Sequence, residues 1–504
     1  MVRYGNLVVL ALVALGGAMR VDSARAFIIT PTDPDPWLTT ASGSRTGNGL
    51  PATITWSIVP DGTTTERSTT TSATAPSNLI AFMNTNFGGV AGQTNLTLQP
   101  WFHIYTDVFS RWSELSGANF VFESHDDGVR HPSSNGQLGV RGDIRLAGAN
   151  VDGAGSVLAF TYLPASGSDM VIDTSEASFF GNNTQNFINL RNTILHEVGH
   201  AFGLEHVTST TSNLLMEPII DTSFDGPQLD EVRGIQYFFG DANEKSNGGL
   251  GNATAALATS LGTIPAGGAK AVGTSANVPT QTISPTAKDF VSISNAGDID
   301  YYSFTVTSPS VLNATLTPRG GVFNQGSADD NQTPTTFNAN ARNNLSLTLY
   351  GSDGTTIIGF SNDPTAGVAE NISGISLPAA GTYYARVLGL DDTVQLYELA
   401  VSATSVGLPG DYNHNGVVDA ADYSLWRDSL GQSVVAGSGA DGNADGQITS
   451  ADFDVWRAHF GQTSGAGGGS GVLAAAVPEP ATIGLAILGV LGACNGRRKR
   501  CGYG

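Results

Sequence analysis

Cysteine is nearly absent. The 504-residue chain has two, Cys494 and Cys501, both within its last eleven residues. No disulfide can therefore cross-link the body of the protein, whose stability must come from apolar cores and bound ions. Basic residues are also scarce: 23 Lys and Arg against 44 Asp and Glu leave a net charge of −21. That balance excludes a nucleic-acid partner, because phosphate binding needs a basic patch. Charged residues amount to only 13%, while glycine reaches 63 and Thr, Ser and Asn are plentiful. Such a composition favours β-rich modules with many turns over helical bundles. The length predicts three or four domains.

Both ends carry short apolar runs, Leu7–Met19 and Ile483–Cys494, too brief to span a bilayer comfortably. The first follows Arg3 and precedes the small-x-small sequence at 24–26. It reads as a signal peptide cut after Ala26, which implies export. Residues 27–51 look irregular.

Histidine is rare too, with eight in the chain, yet three fall in "HEVGHAFGLEH" at 196–206. His196 and His200 are four apart and share one face of a helix. Gly203 can take a positive φ, end the helix and swing His206 back toward them. Three imidazoles with an open fourth position suit a catalytic zinc, and Glu197 can reach a metal-bound water as general base without ligating the metal. A further polar cluster, His125, Asp126, Asp127 and His131, has no familiar ligand spacing and reads as a polar turn.

Around this motif lie a strand at 52–60, a helix at 98–117, strands near 119–124, 142–148, 156–164 and 169–175, and a closing helix at 228–240. Residues 52–241 resemble a catalytic domain of the metzincin metalloproteinases, nearest the matrixins. The resemblance rests on "HEVGHAFGLEH", "LLMEP" (214–218), "DEVRGIQYFFG", "FSRWSELSGANFVF" and "DGAGSVLAFTYLP". It implies an α+β fold and peptide-bond hydrolysis, with Met216 as the Met-turn floor beneath the ligands. Val157, Leu158 and Ala159 would lie on the strand that pairs with substrate, and Asp152, Asp173 and Glu176 would bind calcium. Phe160 and Val171 stand where the family places histidines of a second zinc, so one Zn2+ is expected, not two. Glu217 replaces the Met-turn tyrosine, and no cysteine is available for a latency switch.

Residues 242–284, rich in Gly, Ala, Thr and Ser, read as linker. Short alternating runs over 285–403 predict an all-β sandwich and resemble the bacterial pre-peptidase C-terminal domain. Residues 408–463 hold a repeat offset by thirty residues, each copy with an EF-hand-like loop. Candidate Ca2+ ligands are Asp411, Asn413, Asn415, Asp419 and Asp422, then Asp441, Asn443, Asp445, Thr449 and Asp452. This small α calcium-loop module resembles a type I dockerin and implies a cohesin-like partner. A Gly-rich linker covers 464–476. Residues 477–501, with "PEP" and a basic end, resemble a PEP-CTERM sorting signal of Gram-negative bacteria. That resemblance implies transient or C-terminal membrane anchoring and an exosortase-like processing enzyme near Pro478–Pro480.

The chain is therefore expected to be a multidomain, exported zinc endopeptidase at a bacterial surface or outside it, acting on a protein or peptide substrate. The competing reading is a catalytically inactive adhesion or scaffold protein. Such a protein would be free to lose a ligand or Glu197, and none is lost.

Overall fold

The computed structural model describes residues 27, 29 and 37–463, apart from 69–70, 133–135, 165–166, 266 and 406. The expected signal peptide, the 464–476 linker and the sorting signal lie outside the described residues.

The front region is a five-stranded sheet with helices. Its elements begin with β1 (Ala52–Ile58), α1 (Leu79–Asn86), α2 (Phe102–Glu114), β2 (Ala118–Phe122) and β3 (Ile144–Ala149). They continue with β4 (Ala159–Thr161), β5 (Met170–Asp173), α3 (Ile188–Phe202), β6 (Val207–Thr208) and α4 (Leu229–Phe239). The sheet order is β2-β1-β3-β5-β4, parallel except for the last strand. β4 is thus an antiparallel edge strand. The helix α2 forms because Ile104, Tyr105, Val108 and Trp112 recur at helical spacing, and all four are buried. Trp56 of β1 stacks on Phe109 of α2, ring centroids 4.4 Å apart. α3 is buried nearly all round, so both its faces are fixed by packing.

The segment ahead of β1 is less irregular than its composition predicts. Phe27 and Trp37 are buried, Ile29 bridges to Leu204, and the Trp37 indole donates to the Ala201 carbonyl at 3.2 Å. Arg45 donates to the Phe238 carbonyl, and Gly49 N–H to Tyr237 at 3.1 Å.

The largest departure from expectation is at 242–284, which is not a linker. It holds β7 (Thr259–Ile264) and β8 (Gly268–Val272), both integral to the sandwich. The remaining strands are β9 (Val291–Ile293), β10 (Ile299–Val306), β11 (Ser310–Arg319), β12 (Val322–Ser327), β13 (Thr335–Asn338), β14 (Leu345–Tyr350), β15 (Ile357–Ser361), β16 (Glu370–Leu377), β17 (Gly381–Gly389) and β18 (Gln395–Ser405). One sheet runs β7-β10-β17-β14-β15; the other runs β8-β18-β11-β16, with β9 also on β18. β7 and β8 were hidden because they are short, Gly- and Ala-bearing and largely exposed on one side. A third sheet, β6-β12-β13, joins the two regions: β6 follows the histidine motif, and β12 and β13 belong to the sandwich half.

The regions also share a core. Ile283, Phe290, Phe323, Phe337, Val394 and Leu396 pack in the same buried cluster as Phe202, Leu204 and Phe239. Hydrogen bonds reinforce this, with Leu229 N–H donating to the Gln281 carbonyl at 3.1 Å and the Arg111 guanidinium to the Ala287 carbonyl at 2.6 Å.

The calcium-loop repeat folds as two loops followed by α5 (Ala420–Ser429) and α6 (Ser450–His459). Trp426 of α5 donates to the Thr449 carbonyl and Trp456 of α6 to Asp419, each at 2.8 Å. Each repeat thus caps the loop of the other. No helix among the described residues is long and apolar enough to cross a membrane.

Candidate metal centre

The end of α3 builds the site. Gly203 takes φ 100°, its N–H and that of Leu204 close onto His200 and Gly199, and the chain reverses. The reversal brings His206 against the helix. His196, His200 and His206 are all buried, and the His206 Nε2 lies 3.3 Å from that of His196 and 3.1 Å from that of His200.

The opposite ring nitrogens decide what these contacts are. His196 Nδ1 faces the Leu215 carbonyl at 2.7 Å, and His200 Nδ1 faces that of Leu204 at 2.7 Å. A carbonyl only accepts, so both Nδ1 atoms carry the proton. His206 Nδ1 faces the carboxylate of Asp329 at 3.0 Å, which demands the same tautomer. Three bare Nε2 lone pairs are therefore turned on one another, an arrangement that a shared cation relieves. Nitrogens bound at 2.0–2.1 Å around a tetrahedral zinc stand roughly 3.3–3.4 Å apart. The residues present fit that ion.

Glu197 is buried beside the triad, and its Oε2 has no hydrogen-bond partner. Burial lifts its carboxyl to about 7. Beneath the ligands, Met216 Sδ would lie 2.5 Å from a Cβ placed on Gly199. The Met216 turn is tied down on two sides. Glu231 of α4 accepts from Met216 N–H at 3.1 Å, and the Met216 carbonyl accepts from Val207 N–H at 3.0 Å. Glu217, next along the chain, accepts from Ser209 N–H at 3.0 Å, and burial raises its carboxyl to about 7.

Of the expected substrate-strand residues, Ala159 lies in β4, whereas Val157 and Leu158 precede it. The Leu158 carbonyl is taken by Asp173 N–H at 2.9 Å, on the side facing β5. Phe160 and Val171 pair across β4 and β5 and join Val59, Ala147 and Ala149 in a small apolar cluster. Both are buried in that cluster.

Asp152, Asp173 and Glu176 surround the loop before β4. Asp173 accepts from Val151 N–H at 3.2 Å and Ser175 N–H at 2.8 Å, Asp152 from Val157 N–H at 3.3 Å, and Glu176 from Gly155 N–H. Their carboxylates hold the loop backbone; burial, and after it repulsion from the nearby Asp173, raises the Asp152 carboxyl, while the three together are less tightly gathered than the histidines. In the repeat, Asp411 and Asp441 each accept from the glycine five residues on, Gly416 and Gly446, at 2.8 Å. Asp422 and Asp452 are buried and accept from Asn413 and Asn443 N–H. Asn413, Asn415, Asn443 and Asp445 bond within the loops, while Asp419 and Thr449 cap α5 and α6.

The "ESHDDGVRH" stretch is a largely exposed loop over 123–130, as the polar-turn reading expects, and only His131 at its end is buried. His131 is fully buried, its Nε2–H donating to the Arg145 carbonyl at 3.1 Å and its Nδ1 accepting from Thr65 Oγ1 at 2.8 Å. Asp126 pairs with buried Arg145 at 2.7 Å and Asp127 with Arg141 at 2.5 Å. These contacts are structural braces. Burial holds the His131 imidazole down at about 4.

Two features were missed from sequence. Asp329 lies 123 residues beyond His206, and nothing in its local sequence marks it. Glu244, Asp298 and Asp300 also bring carboxylate oxygens within 4.8 Å of one another. Burial and mutual repulsion raise Glu244 to about 9, and burial raises Asp298 to about 6. The "DID" at 298–300 is the only local signal of this cluster, and Glu244 joins it only through the fold.

Three stretches match family descriptions: residues 93–240 Matrixin, 298–389 the bacterial pre-peptidase C-terminal domain, and 409–459 the dockerin type I domain. The chain thus carries a matrixin domain followed by these two modules. Among individual relatives, it is 30% identical over 153 residues to metalloendoproteinase 2-MMP of Arabidopsis thaliana, covering 29% of this chain and 38% of that one. It is 40% identical over 91 residues to human matrix metalloproteinase-19, covering 18% and 17%. The hatching enzyme of Paracentrotus lividus is 33% identical over 149 residues, covering 29% and 23%. The chain therefore spans well under half the length of these relatives. A solved structure, the pre-peptidase C-terminal domain of a Bacillus anthracis collagenase, is 14% identical, covers 29% of this chain and 96% of that one, and has a TM-score of 0.17.

Proposed function

We propose that the region 52–241 is the catalytic domain of an exported zinc endopeptidase, held by His196, His200 and His206. The observation that carries this is the convergence of three Nε2 atoms whose Nδ1 partners are all acceptors. A zinc ion bound there would supply Lewis-acid polarisation of the scissile carbonyl and lower the pKa of a water. Glu197 takes the proton of the attacking water and returns it to the leaving amine. The edge strand β4 pairs with an extended peptide, a mode that reads backbone more than sequence. Met216 gives the ligands an apolar floor.

Asp152, Asp173 and Glu176 would hold calcium, bracing the loop that leads into β4. The two repeat loops would bind calcium through the residues named above and present α5 and α6 to a cohesin-like partner. Export, sorting by the C-terminal segment and its processing by an exosortase-like enzyme complete the reading. Incubating the protein with a peptide library, with and without a zinc chelator, tests it. Cleavage that the chelator stops and added zinc restores is expected; cleavage indifferent to the chelator would refute it.

A further inference from the structure

The three histidines are braced by two different parts of the chain. His196 and His200 bond carbonyls of the front region, those of Leu215 and Leu204. His206 is braced by the sandwich half. β12 pairs antiparallel with β6, placing Val207 opposite Ser327 and Thr208 opposite Gly326. Where β12 ends, Ala328 N–H donates to the His206 carbonyl at 3.2 Å. Asp329 then accepts from His206 N–H at 3.3 Å through one carboxylate oxygen and faces the ring Nδ1 at 3.0 Å with the other. Both main-chain groups and the far ring nitrogen of this histidine are thus held by two consecutive residues.

The loop carrying Asp329 is itself fixed. Gln332 N–H donates to the Ser327 carbonyl at 2.9 Å, Asp330 N–H to Ser327 Oγ at 3.1 Å and Asn331 N–H to Ala328 at 3.2 Å. A second tie lies further along β12, where Asn324 Oδ1 accepts from Thr210 N–H at 2.8 Å and Ser209 Oγ at 3.0 Å.

We propose that Asp329 is a positioning residue for the metal centre, and that the sandwich is a built-in part of that centre. This rests on the zinc reading of the triad. The carboxylate fixes the His206 tautomer, aims Nε2 at the other two ligands and makes the imidazole a more basic donor than a backbone carbonyl would. Partners of this kind govern metal affinity by 10- to 100-fold. The sandwich thereby acts on the metal centre through Ala328 and Asp329.

The test uses the full chain and its Asp329→Asn, Asp329→Ala and Asn324→Ala variants. Zinc content is measured by mass spectrometry and affinity by competition with a chromogenic chelator. Thermal unfolding of each zinc-free protein is followed alongside. We expect about one zinc per wild-type chain, and a loss of roughly tenfold or more in affinity for Asp329→Asn, with an unfolding temperature close to wild type. Asp329→Ala should lose at least as much, and Asn324→Ala little. If wild type binds zinc and Asp329→Asn, which keeps the shape, binds it equally tightly, the proposal is overturned while the zinc reading stands. If Asp329→Asn weakens zinc no more than Asn324→Ala does, Asp329 is only a domain tie and the proposal fails. A wild-type chain that binds no zinc removes both.

Discussion

Met216 Sδ occupies the space that a Cβ on Gly199 would need, 2.5 Å from where that carbon would sit. Gly199 lies between Glu197 and His200 on α3, so the absence of a side chain there lets the methionine approach the ligand-bearing face. Gly199→Ala should raise helix propensity and still destabilise, because Met216 is buried and must move. Overpacking of this kind costs about 1–3 kcal/mol. Chemical denaturation of the variant against wild type checks it, and an unchanged or higher midpoint would show that the methionine yields freely.

Phe27, Trp37, Arg45 and Gly49, ahead of β1, pack or bond onto the front region, so this segment is expected to belong to the fold and not to be a removable inhibitor. Trp37 is buried and bonds Ala201, one residue after His200. Trp37→Ala should lose about 3–5 kcal/mol. Trimming residues 27–50 should lower both stability and activity. A trimmed protein that is more active than one beginning at Phe27 would mean that this segment is a propeptide.

Removing calcium should open the repeat. Asp411 and Asp422, and likewise Asp441 and Asp452, gather carboxylates whose repulsion is unrelieved without the ion, and the core behind them is small: Tyr412, Ala440 and Ile448, with Trp426, Val434 and Trp456 at its margin. Limited proteolysis mapped by mass spectrometry should show cuts within 408–463 in chelator that calcium suppresses. Equal protection in both conditions would argue against calcium loops.

The acidic cluster of Glu244, Asp298 and Asp300, at the start of β10, predicts a pH dependence of stability. Glu244, Asp298 and Asp300 are raised by burial above their ordinary 3.8–4.5, and Asp241 beside them reaches about 7. The folded state therefore holds extra protons. The stability these groups permit is full below about pH 4 and is lost as pH rises through roughly 6 to 9. In chelator, the urea midpoint should fall between about pH 5.5 and 9, and Glu244→Gln should flatten that fall. The same slope in the variant would remove Glu244 from the account.

How much was legible follows from how local each signal is. The histidine motif and its glycine turn could be read because all their parts fall on one helix and the bend after it. The calcium loops were legible for the same reason, reinforced by duplication. β7 and β8 were not, since strands of Gly, Ala and Thr carry little alternation, and their stability comes from partners that are not sequence neighbours: Tyr302–Val306 for β7, and for β8 a strand more than a hundred residues away, with Ala400 opposite Ala271. His131 looked like a loop residue because its burial depends on Thr65 and Arg145, brought together only by the sheet. Asp329 had no local signal at all. Its role exists only once β12 has paired with β6.

The central claim is that Glu197 and the three histidines form a working zinc peptidase centre. Its most direct test is a paired measurement on wild type and Glu197→Gln: zinc per chain, and the rate of cleavage of a fluorogenic peptide. The account predicts equal zinc in both, with cleavage lowered by about 10²–10⁴-fold in the variant. Undiminished cleavage by a zinc-loaded Glu197→Gln protein would contradict it.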